Sequence, residues 1–220
     1  MQTFKTTLLG ATGLIGGHVL NELIEDAKVS SINIIVRRKT EIKHPKVSEI
    51  VIDFDDEIAF NNAIEPESII FCALGTTNKK VNGDKDKYRA VDYNIPVNAA
   101  KFGLERNCET FVLVSSMGAN SKSSNFYTKL KGEVEDRITS LDYKNLHIFR
   151  PSLLLGDRQE FRLGERVAMV LMKTFSFLLP SKYKAIQAKD VAKAMVHASK
   201  KDISQVKFYH YKDITEISNG

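Results

Sequence analysis

Tyr127 and Lys131 are spaced so that their side chains could act in one reaction. They form a Y-x-x-x-K motif in Tyr127–Ser140, a stretch that we predict to be helical. Residues four positions apart lie on one helix face, so the phenol and the ammonium can enter the same pocket. The ammonium favours a phenolate, which allows Tyr127 to exchange a proton with a carbonyl oxygen while a hydride moves at the carbon. Further along the helix, Glu133 and Glu135 are expected to face solvent.

Two serines precede this helix. Ser115 and Ser116 follow Phe111–Val114, a predicted buried strand, at the edge of the sheet where α/β proteins bind ligands. Ser116 is the preferred residue for holding a substrate oxygen and polarising the carbonyl, with Ser115 as the alternative. About one Y-x-x-x-K pair is expected by chance, so a plain pair on a solvated helix is the competing interpretation. Its place after the serine turn favours catalysis.

A glycine-rich turn near the N-terminus has the chemistry of a phosphate-binding loop. It lies between a predicted strand, Phe4–Leu9, and an apolar repeat at helical spacing. Glycines let the backbone approach a pyrophosphate, and the N–H groups at a helix N-terminus complement its charge. The spacing is G-x-x-G-x-x-G rather than G-x-G-x-x-G, so the prediction depends on the position between strand and helix. The residues predicted to bind a dinucleotide here are Gly10, Thr12, Gly13, Leu14, Ile15 and Gly16.

The end of the second predicted strand distinguishes between the two nicotinamide cofactors. Ile32–Val36 is followed by Arg37 and Arg38 instead of the acid with which NAD-selective sites bind the adenosine ribose. A guanidinium can bind a 2′-phosphate through two hydrogen bonds and stack on the adenine. We therefore expect NADPH to be preferred over NADH, the alternative being that the arginines only solvate the strand end. Asp53 is expected at the adenine edge or, alternatively, as a turn acid.

Short β-branched runs alternate with helical repeats, which is typical of an α/β fold with a doubly wound parallel sheet of the Rossmann-like type. We expect one NAD(P)-binding domain over residues 1–220, with 151–189 contributing the substrate pocket and Val167–Leu179 as a buried or pocket-lining helix. The predicted strands are Phe4–Leu9, Ile32–Val36, Glu49–Asp53, Ser68–Ala73, Phe111–Val114, His147–Phe149 and an edge strand, Val206–Tyr211. The predicted helices are one beginning near Leu14 and those at Asp92–Glu105, Tyr127–Ser140 and Asp190–Lys200.

The composition is that of an ordinary globular protein, with 43% hydrophobic and 27% charged residues. Two cysteines without C-x-x-C spacing and an N-terminus without a secretory pattern lead us to expect a cytoplasmic location. No segment has the apolar length of a membrane span. The five histidines lack metal-ligand spacing, so we expect no metal.

The net charge of +5 does not indicate a nucleic-acid partner. Lysines and acids alternate closely in segments such as Lys79–Arg89, which is typical of solvated loops, and no basic stripe is interleaved with aromatic residues. We therefore expect a small-molecule carbonyl substrate and no nucleic acid. Exposed helix faces could form the interface of a homodimer, so the oligomeric state stays open.

In this order, the motifs resemble the short-chain dehydrogenase/reductase superfamily and, within its atypical branch, the subgroup of the Tat-interacting protein oxidoreductase. The resemblance covers nearly the whole chain through LLGATGLIGGHVLNEL, VRRKT, FCALGTT, VDYNIPVNAAK, LVSSMGANSKSSNFYTKLKGEVE and FRPSLLLGDRQEFRLGE. It implies Ser116, Tyr127 and Lys131 as a catalytic triad, with NADPH held by the glycine loop, Arg37 and Arg38. We expect further residues to contact the bound NADPH, namely Asp53, Ala73, Leu74, Gly75, Ser115, Arg150, Pro151 and Leu153.

Two departures from the superfamily pattern bear on the chemistry. Typical members carry a catalytic asparagine on the helix after the fourth strand, whereas Asp92 stands nearest that place here, with Asn94 and Asn98 close by. The fourth catalytic position stays open among these three residues. The interval between serine and tyrosine is also slightly shorter than usual, which keeps Ser115 in contention.

Three functions follow from these motifs. The favoured one is an NADPH-dependent oxidoreductase of the carbonyl reductase type, acting on a small molecule that the sequence does not identify. The first alternative is an NADPH-binding regulatory module that contacts a protein partner and has little or no turnover. The second is an isomerase or epimerase that retains its cofactor.

Overall fold

A computed structural model describes residues 3–156 and 184–220, so the predicted helix Val167–Leu179 and most of the pocket segment 151–189 lie outside the described residues. The strands are β1 (Phe4–Leu9), β2 (Val29–Val36), β3 (Val47–Val51), β4 (Ile69–Cys72), β5 (Thr110–Val114), β6 (Asn145–Phe149), β7 (Leu154–Leu155), β8 (Ile186–Gln187) and β9 (Val206–Tyr209). The helices are α1 (Leu14–Glu25), α2 (Glu57–Ala63), α3 (Lys85–Arg89), a π turn (Ala90–Asn94), α4 (Ile95–Glu105), α5 (Phe126–Thr139), α6 (Ala188–Ala198) and α7 (Tyr211–Asn219).

Seven of the described strands form one sheet in the order β3-β2-β1-β4-β5-β6-β9, and every neighbouring pair is parallel. Along the chain, β2 and β3 are added on one side of β1, and β4, β5, β6 and β9 are then added on the other side. This reversal is the switch point at which open α/β sheets bind ligands, outside the carboxyl ends of the strands. The expected doubly wound, Rossmann-like sheet is confirmed. A separate parallel pairing joins β7 to β8.

Both faces of the sheet are covered by apolar helix surfaces. On one face α1 and α6 contribute Val19 and Met195, which are fully buried. On the other face α2, α4 and α5 contribute residues such as Phe60 and Val134. The strand β5 is buried along its whole length, as an unbroken apolar run predicts for a central parallel strand.

The boundaries of several elements differ from the prediction because caps, which are local polar contacts, decide where an element starts or stops. The third strand ends at Val51 rather than at Asp53, and the edge strand ends at Tyr209 because α7 begins at Tyr211. The helix α2 was missed, and its N-terminus is capped by Asp56, whose side chain accepts a hydrogen bond from the Ala59 N–H.

The helix that we predicted from Asp92 begins earlier and is interrupted. Its first part, α3, lies in the mixed-charge segment that we expected to be a loop, and Asp84 caps it by accepting hydrogen bonds from two backbone N–H groups at 3.0 and 3.1 Å. A π turn then inserts one extra residue per turn before α4 continues. Asp92 lies in this π turn and is only 1% exposed. The charged sequence is therefore a capped helix that leads into the buried Asp92.

Candidate functional site

The glycine loop lies at the switch point between β1 and β4. Gly10 has a φ of +89°, and a Cβ atom there would come within 2.7 Å of the Ala73 carbonyl oxygen. The Gly13 N–H donates to the Gly10 carbonyl at 2.8 Å and closes the turn. Gly16 packs so tightly on Gly10 that any side chain would displace the loop. Glycine is therefore required at positions 10 and 16 for steric reasons.

The N-terminus of α1 is open for an anion. Gly13 is its N-cap residue and offers no side-chain oxygen to the first N–H groups, and the first turn contains no acidic residue. These N–H groups and the positive end of the helix dipole attract phosphate. Thr12 and Gly13 are exposed, whereas Ile15 is buried in the core. The arrangement fits the pyrophosphate of a dinucleotide, with Ile15 able to contribute only its backbone.

The two arginines emerge at the carboxyl end of β2. Arg37 and Arg38 are exposed, so both guanidinium groups can meet a phosphate that arrives from solvent. Arg37 lines an open depression of ≈390 Å³ together with Val51, Ile52 and Asp53. The Asp53 carboxylate shapes the next turn, since its Oδ1 accepts a hydrogen bond from the Asp55 N–H at 3.1 Å. The turn-acid interpretation of Asp53 thus describes its observed contact, and an adenine contact stays a prediction.

Lys131 and Asp92 form a buried ion pair. The Lys131 Nζ lies 3.0 Å from the Asp92 Oδ1, and the two side chains are 7% and 1% exposed. Burial alone would lower the pKa of Lys131, but the Asp92 carboxylate outweighs burial and raises that pKa above its usual range. The lysine is therefore held in its charged form. Among the three candidates for the fourth position, Asp92 is the one that reaches Lys131, while Asn94 is exposed.

The start of α5 fixes the position of Tyr127. Asn125 caps the helix by accepting hydrogen bonds from two backbone N–H groups of the first turn, at 3.0 and 3.1 Å. Gly132 packs directly on the backbone of Asn120, where a side chain would collide. The Tyr127 ring stands edge-on to Tyr88, with 6.5 Å between the ring centroids, and is 36% exposed. The phenol thus stands one helical turn before Lys131 with access to solvent.

The two serines continue β5 into the site. The Ser115 N–H donates to the Phe149 carbonyl at 2.8 Å, and the Met117 N–H donates to the Pro151 carbonyl at 2.9 Å. The parallel ladder therefore extends beyond both strands and places Pro151 beside the serine turn. Both serine hydroxyl oxygens are buried and make no hydrogen bond with the described residues. Unpaired buried hydroxyls are unusual, and here they are available to a ligand.

Arg150 has a partner that the sequence did not reveal. Its Nε lies 2.9 Å from the Glu135 Oε1, and its Nη2 contacts the other carboxylate oxygen. Glu135 is buried, so our expectation that it faces solvent is wrong, and Glu133 is half-buried and pairs with Arg89 at 2.6 Å. Glu135 can be buried because the guanidinium neutralises it. A cofactor contact of Arg150 stays a prediction, as it does for Leu74, Gly75 and Leu153.

The Cys72 thiol near the site has a structural rather than a chemical role. Cys72 ends β4 close to Lys131, and burial raises the pKa of its thiol to about 11. Among the residues that the structure describes, no group of histidine, cysteine and acidic side chains could hold a metal ion. No helix in the described part of the chain is long and apolar enough to cross a membrane.

A family model described as NAD(P)H-binding matches residues 10–202, from the glycine loop to beyond α6. The chain belongs to this NAD(P)H-binding family. A curated relative, Protein HTATIP2 of Rattus norvegicus, is 34% identical over 200 residues that cover 90% of this chain and 81% of that protein. These matches confirm the resemblance to the atypical short-chain dehydrogenase/reductase branch.

Fungal relatives correct one expectation. The protein named FMP52, mitochondrial, of Saccharomyces cerevisiae is 34% identical over 231 residues, covering 96% of this chain and 95% of its own length. Its Candida albicans counterpart, also named mitochondrial, is 32% identical over 206 residues, covering 91% and 90%. These names contradict our expectation of a cytoplasmic location. The two free cysteines do not distinguish the cytoplasm from a mitochondrial compartment.

Solved structures share the fold at low sequence identity. WbmH of Bordetella bronchiseptica in complex with NAD+ has a TM-score of 0.73 and 16% identity, covering 95% of this chain and 76% of its own. MoeE5 in complex with UDP-glucose and NAD has a TM-score of 0.71 and 12% identity, covering 97% and 80%. At these identities the likeness concerns the Rossmann-like fold alone.

Proposed function

We propose that the protein is an NADPH-dependent oxidoreductase that reduces a small carbonyl compound. One observation carries the proposal: the open N-terminus of α1, the paired Lys131 and two serine hydroxyls without a partner in the described part of the chain all lie at the carboxyl edge of one parallel sheet. Tyr127 stands one helical turn before Lys131 at this edge. A bound NADPH would supply a hydride to the carbonyl carbon. The residues of the chain would bind the cofactor and complete the reaction at the oxygen.

The proposed cofactor contacts follow the edge of the sheet. The glycine loop and the α1 N–H groups would bind the pyrophosphate, and Gly10 and Gly16 allow the close backbone packing that gives the loop its shape. Arg37 and Arg38 would bind the 2′-phosphate, which NADH lacks, and give the preference for NADPH. We propose that the single domain covers residues 1–220 and that 151–189 form the substrate pocket. Gly156 supports this, since a Cβ atom there would lie 2.8 Å from the Leu14 side chain at the start of α1.

The proton would come from Tyr127. Ser116, or Ser115, would donate a hydrogen bond to the carbonyl oxygen and polarise it. As the hydride reaches the carbon, the Tyr127 O–H would give its proton to the oxygen, which forms an alcohol and leaves a tyrosinate. The Lys131 ammonium would stabilise that tyrosinate, and solvent would return the proton through the exposed side of the ring. Such general acid catalysis contributes about a hundredfold to ten-thousandfold in rate.

The test is NADPH consumption by the purified protein with a panel of aldehydes, ketones and quinones, followed by nicotinamide absorbance. The wild type should consume NADPH in proportion to the alcohol formed, and Tyr127→Phe should lower the rate at least about a hundredfold. Tyr93→Phe, which changes another tyrosine, is the matched control and should keep the rate. If no carbonyl class supports NADPH consumption, the reductase proposal fails.

A second candidate function is an NADPH-binding module with little turnover. The observation that favours it is the Asp92–Lys131 pair, because an ammonium that is already paired with a carboxylate stabilises a nearby tyrosinate less than an unpaired ammonium would. A partner pulldown with and without NADPH tests this function. Capture that requires NADPH and persists in Tyr127→Phe would support it, and capture independent of NADPH would contradict it.

We also propose a mitochondrial location, by analogy with the fungal relatives named mitochondrial. The test is fractionation of cells that express the full chain with a C-terminal tag. Enrichment with mitochondrial markers supports the proposal, whereas a purely cytosolic signal overturns it.

A further inference from the structure

Asp92 contacts two parts of the site at once. Its Oδ1 lies 3.0 Å from the Lys131 Nζ, and its Oδ2 accepts a hydrogen bond from the Thr76 N–H at 2.7 Å. Thr76 belongs to the loop after β4, which begins with Ala73 and packs on Gly10 through the Ala73 carbonyl. The carboxylate therefore connects the lysine that would serve proton transfer to the loop that borders the glycine turn.

The surrounding structure holds Asp92 in this place from two sides. Its π turn is preceded by Arg89, which pairs at 2.6 Å with Glu133 on α5 and so ties the turn to the helix that carries Lys131. The Tyr88 hydroxyl donates to the Thr76 carbonyl at 3.1 Å, so Thr76 is held through its carbonyl as well as through the N–H that contacts Asp92. Both contacts of the carboxylate are thus fixed by neighbouring elements, as its almost complete burial requires.

We propose that Asp92 is a positioning residue that holds the Lys131 ammonium with one oxygen and the loop after β4 with the other. The role given to Lys131 rests on the proposed function. An uncharged amide at position 92 would leave the buried Lys131 ammonium without a counter-charge. Burial favours the neutral amine. The carboxylate therefore keeps Lys131 charged. Its second oxygen binds the loop after β4, so Asp92 links the position of α5 to that loop.

The first experiment separates charge from hydrogen bonding with Asp92→Asn, which keeps an acceptor for the Thr76 N–H. Asp86→Asn, which removes an exposed acid of α3, is the matched control. The titration of Lys131 is followed by NMR of Cε-labelled lysines in the ligand-free protein, with Lys131→Met for assignment. We expect Lys131 in Asp92→Asn to bind its proton at least about tenfold more weakly than in the wild type. The control should match the wild type, and equal titration in Asp92→Asn and the wild type would overturn the proposal.

The second experiment remains valid if Asp92→Asn does not fold, because it removes both charges together. It compares the Thr76 amide exchange rate in Asp92→Asn/Lys131→Met with that in Asp92→Ala/Lys131→Met, since a neutral pair avoids an unpaired buried charge. We expect exchange at least about fivefold faster in the alanine variant, where the acceptor is missing. Equal exchange would overturn the proposal. Both measurements use ligand-free protein, so their failure is distinct from an absence of carbonyl reduction.

Discussion

Gly10 lies against the carbonyl oxygen of Ala73, so the end of β1 touches the end of β4 where the chain changes direction in the sheet. A Cβ atom at Gly10 would come within 2.7 Å of that oxygen, and the φ of +89° disfavours any other residue. Two backbone segments that a dinucleotide would contact are thereby fixed relative to each other. The shape of the glycine loop therefore depends on this close packing as well as on the φ that glycine permits.

Gly16→Ala is expected to abolish cofactor binding because its methyl group would collide with the Gly10 carbonyl. Overpacking of this kind costs about 1–3 kcal/mol in the free energy of unfolding. Gly17→Ala is the matched control, since its Cβ would make an ordinary 3.6 Å contact with Ala11 and improve helix propensity by about 0.5–1 kcal/mol. Urea denaturation and NADPH titration of both variants check this. Normal NADPH binding by Gly16→Ala would contradict the role of the loop.

The two serines are expected to differ in their contribution to turnover. Ser116→Ala should lower kcat about a hundredfold, since a hydrogen-bond donor to a developing oxyanion is lost. Ser115→Ala should lower kcat by less than about tenfold if it only lines the site. Steady-state kinetics of the two variants with the same carbonyl substrate decide between them. The opposite order would assign the role to Ser115.

Glu135→Gln is expected to destabilise the fold more than Glu133→Gln. Glu135 is buried beneath Arg150, so its loss leaves a half-buried guanidinium unpaired and should cost about 2–3 kcal/mol in the free energy of unfolding. Glu133 pairs with a more exposed arginine, and its loss should cost less than about 1 kcal/mol. Urea denaturation at neutral pH measures both. Equal costs would show that the Arg150 pair contributes no more than a surface pair.

The burial of His147 is expected to make the fold less stable in mild acid. It is fully buried between β5 and β9, with Nδ1 2.8 Å from the Tyr209 hydroxyl. Burial, assisted by the charge of Lys207, lowers the pKa of His147 to about 4. The unfolded chain, with an ordinary histidine, therefore binds a proton first as the pH falls. Stability should be complete above about pH 6.5 and decline toward pH 4 by up to about 3 kcal/mol.

The corresponding measurement compares the wild type with His147→Gln by urea denaturation at several pH values between 4 and 7. The variant loses the titrating group, so its stability should depend less on pH in this window. His18→Gln, which alters a half-buried histidine of α1, is the control and should behave like the wild type. An unchanged pH dependence in His147→Gln would contradict the prediction.

The sheet and its motifs could be predicted because their signals are local. The unbroken apolar run of β5 and the helical spacing of α1 each depend on neighbouring residues in the chain. The glycine loop could be placed for the same reason. By contrast, α2 and α3 depend on aspartate caps, and the π turn that buries Asp92 has no periodic signal.

The misses at the site depend on contacts between distant segments. Glu135 reads as a surface residue within α5, and only the packing of α5 beside the end of β6 brings Arg150 to it. The sequence likewise put Asp92 near the position where a catalytic asparagine is expected, but it did not reveal the partners of Asp92. These partners, Lys131 and Thr76, come from two other segments of the chain. Sequence patterns therefore predict which residues belong to a site more readily than they predict which of those residues contact each other.

The most direct test of the account is a titration of the purified protein with NADPH and with NADH, followed by nicotinamide fluorescence. It is repeated with Arg37→Ala/Arg38→Ala, and Lys39→Ala serves as the control because it removes a neighbouring exposed charge. We expect the wild type and Lys39→Ala to prefer NADPH, and the double variant to lose at least about tenfold in NADPH affinity while its NADH affinity is unchanged. Failure of the wild type to bind either cofactor would contradict the account.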